Sequence, residues 1–232
     1  IYLNLCALGE NPSLMSWLSS PSENSLEQAK NSLLSIGALT LHNKITEKGR
    51  NIFQFPLNPR LSAALLLSDK LGCLPAFALS LAIIEERTPI IPKEFKEDIV
   101  ESFLSGMIRE KDLDTASDLR ILLGAWAYAK NEDFSADRCK YVGIHANRCR
   151  EAERLAIRYC RIAGLQEFQF QFPKIKDLVE VMILAFPNHL ARTKNRGTML
   201  YESIEGYNMH VSKYSAVQKA DWVIALSLIE KP

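Results

Sequence analysis

A cluster of arginines is the feature of this sequence best suited to bind an anionic polymer. Arg150, Arg154, Arg158 and Arg161 are spaced i, i+4, i+8 and i+11, so they share one face of a predicted helix. An unpaired arginine stripe is typical of a groove that follows a nucleic-acid strand. The same stripe is also typical of a solvated helix surface in which arginines pair with nearby carboxylates, here Glu151 and Glu153. The sequence leaves both interpretations open.

A second basic group follows about 30 residues later along the chain. Arg192, Lys194 and Arg196 precede Gly197 and a predicted strand, which indicates an exposed basic loop. His189 is a lone histidine without plausible ligand partners nearby, so we predict no metal site.

Composition restricts the classes of function. The chain has 232 residues, of which 47% are hydrophobic and 24% charged, and its formal net charge is +1. Any attraction to nucleic acid must therefore come from local patches rather than from a global field. Five cysteines without a CxxC pair predict reduced thiols and a cytoplasmic protein. The sequence shows no signal peptide and no membrane-spanning run, and its start at Ile1 suggests an excised fragment.

The sequence offers no catalytic residues that we can assign. A GxxxxGK[ST] phosphate loop is absent, as is an acidic metal-binding motif on a strand. We therefore expect this fragment to bind no cofactor and to hydrolyse no nucleotide by the usual P-loop route.

Residues 25–67 predict a winged helix. Ser25 is expected to cap a helix with apolar positions Leu26, Ala29, Leu33, Leu34 and Ile36, and Gly37 ends it. A short hairpin turning at His42-Asn43-Lys44 follows, and Thr46 caps the next helix. Because the presumed reading helix carries Glu27 beside Lys30, we interpret this unit as structural rather than as a DNA reader.

The remaining sequence predicts a mainly α fold that ends in a short, partial, OB-like β region. We expect three parts: a winged-helix domain over 1–67, a helical bundle over 68–165, and a connector, helix and truncated β region over 166–232. Phe168, Phe170 and Phe172 alternate with polar residues, which favours a short strand or an extended connector packed on the bundle. The predicted helices cover 60–71, 75–86, 94–107, 115–130, 145–163 and 174–186, and the predicted strands cover 199–204, 207–213 and 222–229.

Five groups of residues resemble DEAH/DExH-box helicases in the segment that follows their motor domains, and one of them is the stretch 1–9. The longest group lies in the winged-helix stretch, and a second is Ser117-Asp118-Leu119. The third group is Asn147, Arg148, Ala152 and Ile157-Arg158, and the fourth resembles the bacterial HrpB-type branch at Phe186-Pro187, Leu190-Ala191-Arg192 and Arg196-Gly197. The longest group consists of Gly37-Ala38-Leu39, Thr46, Gly49-Arg50, Phe55-Pro56-Leu57 and Pro59-Arg60-Leu61.

The resemblance implies an accessory C-terminal fragment of an ATP-dependent helicase for RNA or DNA, which forms part of the single-strand channel beside the motor domains. Its implied partners are a single strand and the parent's motor domains, which would bind ATP and Mg²⁺. The resemblance also implies that the bundle over 68–165 is a helical ratchet-like bundle. A helical protein-interaction scaffold without nucleic-acid binding is the alternative, and a free winged-helix regulator is a third. The candidate contacts to nucleic acid are Asn147, Arg148, Arg150, Arg154, Arg192, Lys194 and Arg196.

Overall fold

The computed structural model describes residues 1–85, 87–105, 117–195, 197–204, 206–213, 215–217 and 220–225. The helices are α1 Tyr2–Ala7, α2 Glu23–Ser35, α3 Glu47–Phe53, α4 Pro59–Lys70, α5 Leu74–Glu85, α6 Glu97–Ser105, α7 Asp118–Asn131, α8 Ala136–Tyr141, α9 Ala146–Ile162 and α10 Ile175–Ala185. The strands are β1 Leu190–Thr193, β2 Leu200–Ser203, β3 Asn208–His210 and β4 Trp222–Ile224. The predicted mainly α class with a small β region at the end is confirmed.

Helix α2 begins earlier than the sequence predicts. Its cap is Ser22, whose Oγ accepts from the backbone N–H of Ser25 at 3.2 Å, so the predicted cap at Ser25 is wrong. Both serines fit the capping preference, and the chain turns into the helix at the first of them. Gly37 ends the helix with a φ of +70°, as glycine does without a Cβ penalty.

The predicted hairpin is present in a minimal form. Leu39 and Ile45 form an isolated antiparallel bridge, and Asn43 takes a φ of +59° at the turn between them. Thr46 then caps α3 by accepting from the Gly49 N–H at 2.9 Å. The helix, hairpin and helix thus occur in the predicted order, and their interpretation as a winged helix stays a prediction.

Two clusters of buried side chains form the core. The smaller one joins α1, α2 and α3, and Leu33, Ile36 and Ile52 are among its members. The larger one surrounds α5, a helix that is apolar on nearly every face and packs against α4, α7 and α9. The predicted domain boundaries near residues 67 and 165 are not tested by this division and stay predictions.

Helix α9 meets α5 through small side chains. Cys149, Ala152, Ala156 and Cys160 are each 0 to 1% exposed and recur at helical spacing. Small residues let the two backbones approach closely, and the Tyr159 hydroxyl donates to Glu85 at 2.5 Å near the end of α5. One face of α9 is therefore fixed against the bundle, and the opposite face is left to the arginines.

Residues 166–173 form an extended connector rather than a strand. Phe168, Phe170 and Phe172 pack against the larger core, and the Phe170 and Trp126 ring centroids lie 4.7 Å apart. The connector leads into α10, which packs on α4. The phenylalanine rings are thus used for packing.

The C-terminal region is an antiparallel sheet in the order β3-β2-β1-β4. Strand β1 was not predicted, and it contains Arg192, which the sequence placed in a loop. Ala191 pairs with Ser203 on one side and with Val223 on the other, so β1 is a central strand. Strands β2, β3 and β4 fall inside predicted ranges. The segment 226–229 of the third predicted strand lies outside the described residues, as do the predicted helix ends at residues 86, 107 and 115.

Candidate nucleic-acid interface

The arginine stripe lies on the face of α9 that points away from α5. Arg154, Arg158 and Arg161 are exposed, whereas Arg148 and Arg150 are half-buried. The four stripe arginines lie on one helix, as predicted, but they and Arg148, which is outside the stripe, differ in what they contact.

Arg148 and Arg150 are held by the protein itself. The Arg148 guanidinium donates to the Thr88 carbonyl oxygen at 2.8 Å. Arg150 donates to Asn147 Oδ1 at 3.2 Å and to the Phe134 carbonyl oxygen at 3.4 Å. Its guanidinium carbon also lies 5.4 Å from the centroid of the Phe134 ring. These contacts stabilise the start of α9, and they leave Arg148 and Arg150 less free to meet a ligand than the sequence suggests.

Arg154 forms an ion pair of the kind expected on a solvated helix surface. Its Nη1 lies 2.8 Å from Glu151 Oε1, and both side chains are more than half exposed. Such a pair contributes only a few tenths of a kcal/mol, about 0.3–0.5, and its arginine can turn to another anion at little cost. Glu153 does not join the stripe, because it is nearly buried and bonds to Lys130 at 2.7 Å.

Arg158 and Arg161 are the cations of the stripe that the protein uses least. Both are exposed, and neither forms a salt bridge with a carboxylate of the described residues. They lie near the C-terminal end of α9, where positive charge is favoured by the helix dipole. The contacts predicted on α9, Asn147, Arg148, Arg150 and Arg154, lie in its first half, whereas the exposed Arg158 and Arg161 lie in its second half.

The second basic group belongs to the sheet. Arg192 is exposed on β1, and its guanidinium carbon lies 5.8 Å from the centroid of the Trp222 ring on β4. Lys194 follows β1 and donates to Asn208 Oδ1 at 2.8 Å, with Glu202 Oε1 at 3.3 Å. Arg196 lies outside the described residues. Trp222 was not among the sequence candidates, because an aromatic residue in a predicted strand is ordinarily a core residue.

No hydrogen bond or ion pair joins the stripe to the basic group of the sheet within the part of the chain that the structure describes. Helix α9, which carries the stripe, packs against α5, α7 and α8 and contacts the turn at Thr88, whereas Arg192 and Lys194 are held by neighbouring strands.

His189 stacks on Phe186, and its Nδ1 lies 2.8 Å from the Ala225 carbonyl oxygen. Among the described residues no cluster of metal-ligating side chains occurs.

Comparisons with known proteins give sequence relatives over much of the chain. The putative ATP-dependent RNA helicase rha-2 of Caenorhabditis elegans is 25% identical over 208 residues, which cover 77% of this chain and 18% of that protein. The probable ATP-dependent RNA helicase DHR1 of Saccharomyces cerevisiae is 32% identical over 126 residues, covering 50% of this chain and 10% of that protein. No protein-family model matches the chain.

Solved structures match the whole length of the chain. The crystal structure of the Escherichia coli DExH-box NTPase HrpB superposes with a TM-score of 0.66 at 17% identity, covering 100% of this chain and 22% of that one. A second structure, of the Escherichia coli DEAH/RHA helicase HrpB, gives a TM-score of 0.64 at 16% identity, covering 99% of this chain and 23% of that one. The chain is similar to the C-terminal region of DEAH/DExH-box helicases. The predicted resemblance is confirmed, and the chain spans less than a quarter of the length of these helicases.

Several residues of the groups that resemble the helicases have structural roles in this chain. Thr46 caps α3, and Pro59 occupies the first turn of α4 behind the cap Asn58. Gly49 lies against the Ala38 carbonyl, where a side chain has no room. Asp118 begins α7 and accepts hydrogen bonds from Ser215 and Ala216 of the C-terminal region. These residues therefore specify the fold, whereas Asn147, Arg148 and Arg192 belong to the helicase-like groups and are also candidate contacts to a ligand.

None of the helices in the described part of the chain is long and apolar enough to cross a membrane.

Proposed function

We propose that this chain is an accessory region of an ATP-dependent, cytoplasmic helicase and that it contacts a single strand of RNA. The observation that carries the proposal is the likeness to HrpB over the full chain, together with sequence relatives that are described as RNA helicases. In this proposal the winged helix and the ratchet-like bundle stand beside motor domains in the rest of the parent protein. Those motor domains bind ATP and Mg²⁺, and we expect neither ligand to bind to this chain.

The work of this region is to close one side of the passage through which the strand moves. Binding there must be weak and independent of sequence, because a strand that translocates has to be released at every step. Exposed guanidinium groups suit that purpose, since they neutralise phosphates without reading bases. Arg158 and Arg161 support the proposal because they are exposed and form no salt bridge among the described residues.

The alternative is a protein-interaction scaffold that never touches nucleic acid. Large apolar side chains are exposed around α1 and the segment after it, and this observation favours a protein contact there. Leu8, Leu14 and Leu18 are 74%, 81% and 106% exposed. A contact with motor domains and a contact with a separate protein both fit these leucines, so they do not decide between the two functions.

A low-salt titration of labelled single-stranded RNA tests the proposal. We expect the chain to bind weakly, and we expect Arg158→Gln with Arg161→Gln to reduce both the affinity and the salt slope, by about 0.7 per lost phosphate contact. The matched control is Lys48→Gln with Arg50→Gln, which removes the same charge from exposed positions on α3. Identical curves for the parent and the α9 variant would remove the stripe from the interface, and an absence of binding by the parent would favour the scaffold.

A further inference from the structure

A cleft of about 220 Å³ is lined by residues at the end of β1 and the start of β4. Its walls are Arg192, Thr193, Lys194, Asp221 and Trp222. Arg192 and Trp222 are paired across the two strands, so their side chains lie on the same face of the sheet. The guanidinium carbon of Arg192 lies 5.8 Å from the centroid of the indole ring, which gives the two side chains a cation–π contact.

Trp222 is far more exposed than the tryptophan in the centre of the bundle. Its side chain is 54% exposed, whereas Trp126 is 4% exposed in the centre of the bundle. Ile224, two residues further along β4, packs against the larger core, but Trp222 belongs to neither core cluster. Burial of an indole ring stabilises a fold, and at Trp222 about half of this apolar surface is left in contact with solvent.

Among the described residues at the cleft, the positive and negative charges are equal in number. Arg192 and Lys194 are opposed by Asp221 and by Glu202, whose Oε1 lies 3.3 Å from the Lys194 ammonium. A cleft with no excess positive charge binds phosphate weakly, because phosphate binding depends on such an excess. It offers instead an aromatic face, a guanidinium plane and a set of hydrogen-bonding groups. That combination suits a flat, polar, uncharged ring.

We infer that Trp222 is a stacking platform for one base of the single strand, with Arg192 as its partner. Nucleobases stack on indole rings and on guanidinium planes, and stacking tolerates every base because each has a π face. The inference rests on the proposed function, because it requires a single strand to reach the sheet. It adds a contact that differs in kind from the arginine stripe, since stacking depends on the base and the stripe depends on the phosphate.

Two probes separate stacking from charge: a labelled oligouridylate and an abasic oligomer with the same ribose-phosphate backbone. Trp222→Ala should weaken binding of the oligouridylate about five- to hundredfold, because one base–aromatic stack has that worth, and it should leave the salt slope unchanged. Trp222→Tyr should retain most of the affinity. Binding of the abasic oligomer should be the same for the parent and for Trp222→Ala. The control is Tyr207→Ala, which removes another exposed aromatic side chain, 66% exposed, next to the opposite edge strand β3.

Each contrary result has its own meaning. If Trp222→Ala binds the oligouridylate as the parent does, the stacking inference is overturned and the proposed function stands. The inference is also overturned if Trp222→Ala weakens the abasic oligomer equally or if Trp222→Tyr loses as much affinity as Trp222→Ala. If the parent binds neither oligomer, the proposed function and the inference fall together.

Discussion

The Ser215 hydroxyl donates a 2.8 Å hydrogen bond to the carboxylate of Asp118, and this contact ties the C-terminal region to the first turn of α7. The other carboxylate oxygen accepts from the Ala216 N–H at 2.7 Å. The negative charge also lies at the N-terminal end of a helix, where the helix dipole stabilises it. Asp118 therefore serves two elements that are distant in sequence.

Asp118→Ala should loosen the sheet from the bundle. Two hydrogen bonds to a charged group are lost, each worth about 1.5–3 kcal/mol, so we expect a clear fall in the free energy of unfolding. Relative to the parent, Asp118→Ala should increase the rate of amide hydrogen exchange more in β1 and β2 than in α5. Asp137→Ala is the control, because Asp137 is an exposed acidic residue in the first turn of α8. Equal exchange in both variants would show that the contact does not hold the sheet.

Gly49→Ala should be strongly destabilising. A Cβ at this position would overlap the carbonyl oxygen of Ala38 and the side chain of Ile45, so α3 could keep its place only if backbone atoms moved. We compare it with Gly72→Ala, where the φ of +71° is strained for alanine but nothing lies within 4 Å of the added atom. The strain alone costs about 1–2 kcal/mol. Thermal melts in which Gly49→Ala loses no more stability than Gly72→Ala would contradict the close packing of α3.

Neighbouring leucines of α2 should respond differently to truncation. Leu33 is 4% exposed in the smaller core, whereas Leu34 only packs against its edge. Leu33→Ala should therefore cost about 2–5 kcal/mol, as buried leucines do, and Leu34→Ala should cost less. Denaturant unfolding measures both values. A larger loss for Leu34→Ala would mean that the helix faces the core with a different side.

The free energy of unfolding should fall in alkaline solution through the buried thiols. Burial raises the pKa of Cys149 and Cys160 to about 12, from an ordinary value of 9.0. A raised pKa in the folded state stabilises the protein fully below pH 9, and this contribution is lost as the pH rises from 9 toward 12. We expect the variant with Cys149→Ala and Cys160→Ala to show a shallower decline of melting temperature over that range. Parallel curves would contradict a role of these thiols in alkaline unfolding.

Helix positions could be predicted from the sequence because apolar spacing, prolines and glycines mark them locally. The predicted helix over 60–71 corresponds to α4, Pro59–Lys70, and the one over 145–163 to α9, Ala146–Ile162. The cap of α2 was misplaced because Ser22 and Ser25 are equally suitable by residue type. The choice between Leu33 and Leu34 likewise depends on the rotation of the helix, which apolar spacing leaves open within one position.

The candidate interface was harder to predict, since it depends on contacts between distant residues. Strand β1 was missed because four residues that include an arginine carry little strand signal, and its pairing with β2 and β4 supplies what local preference lacks. Arg148 differs from Arg158 in that its guanidinium donates to the Thr88 carbonyl oxygen, 60 residues earlier in the chain. Trp222 shows its exposure only once the sheet order places β4 at an edge.

Photo-crosslinking tests the central claim, contact with a single strand, most directly. A single-stranded RNA that carries 4-thiouridine is irradiated with the chain, and mass spectrometry locates the linked peptides. We predict crosslinks in the peptides that contain Arg158 and Arg161 of α9 and in the peptide that contains Trp222, with loss of the signal as salt is raised. Crosslinks confined to the exposed leucines near α1, or none at low salt, would contradict the account.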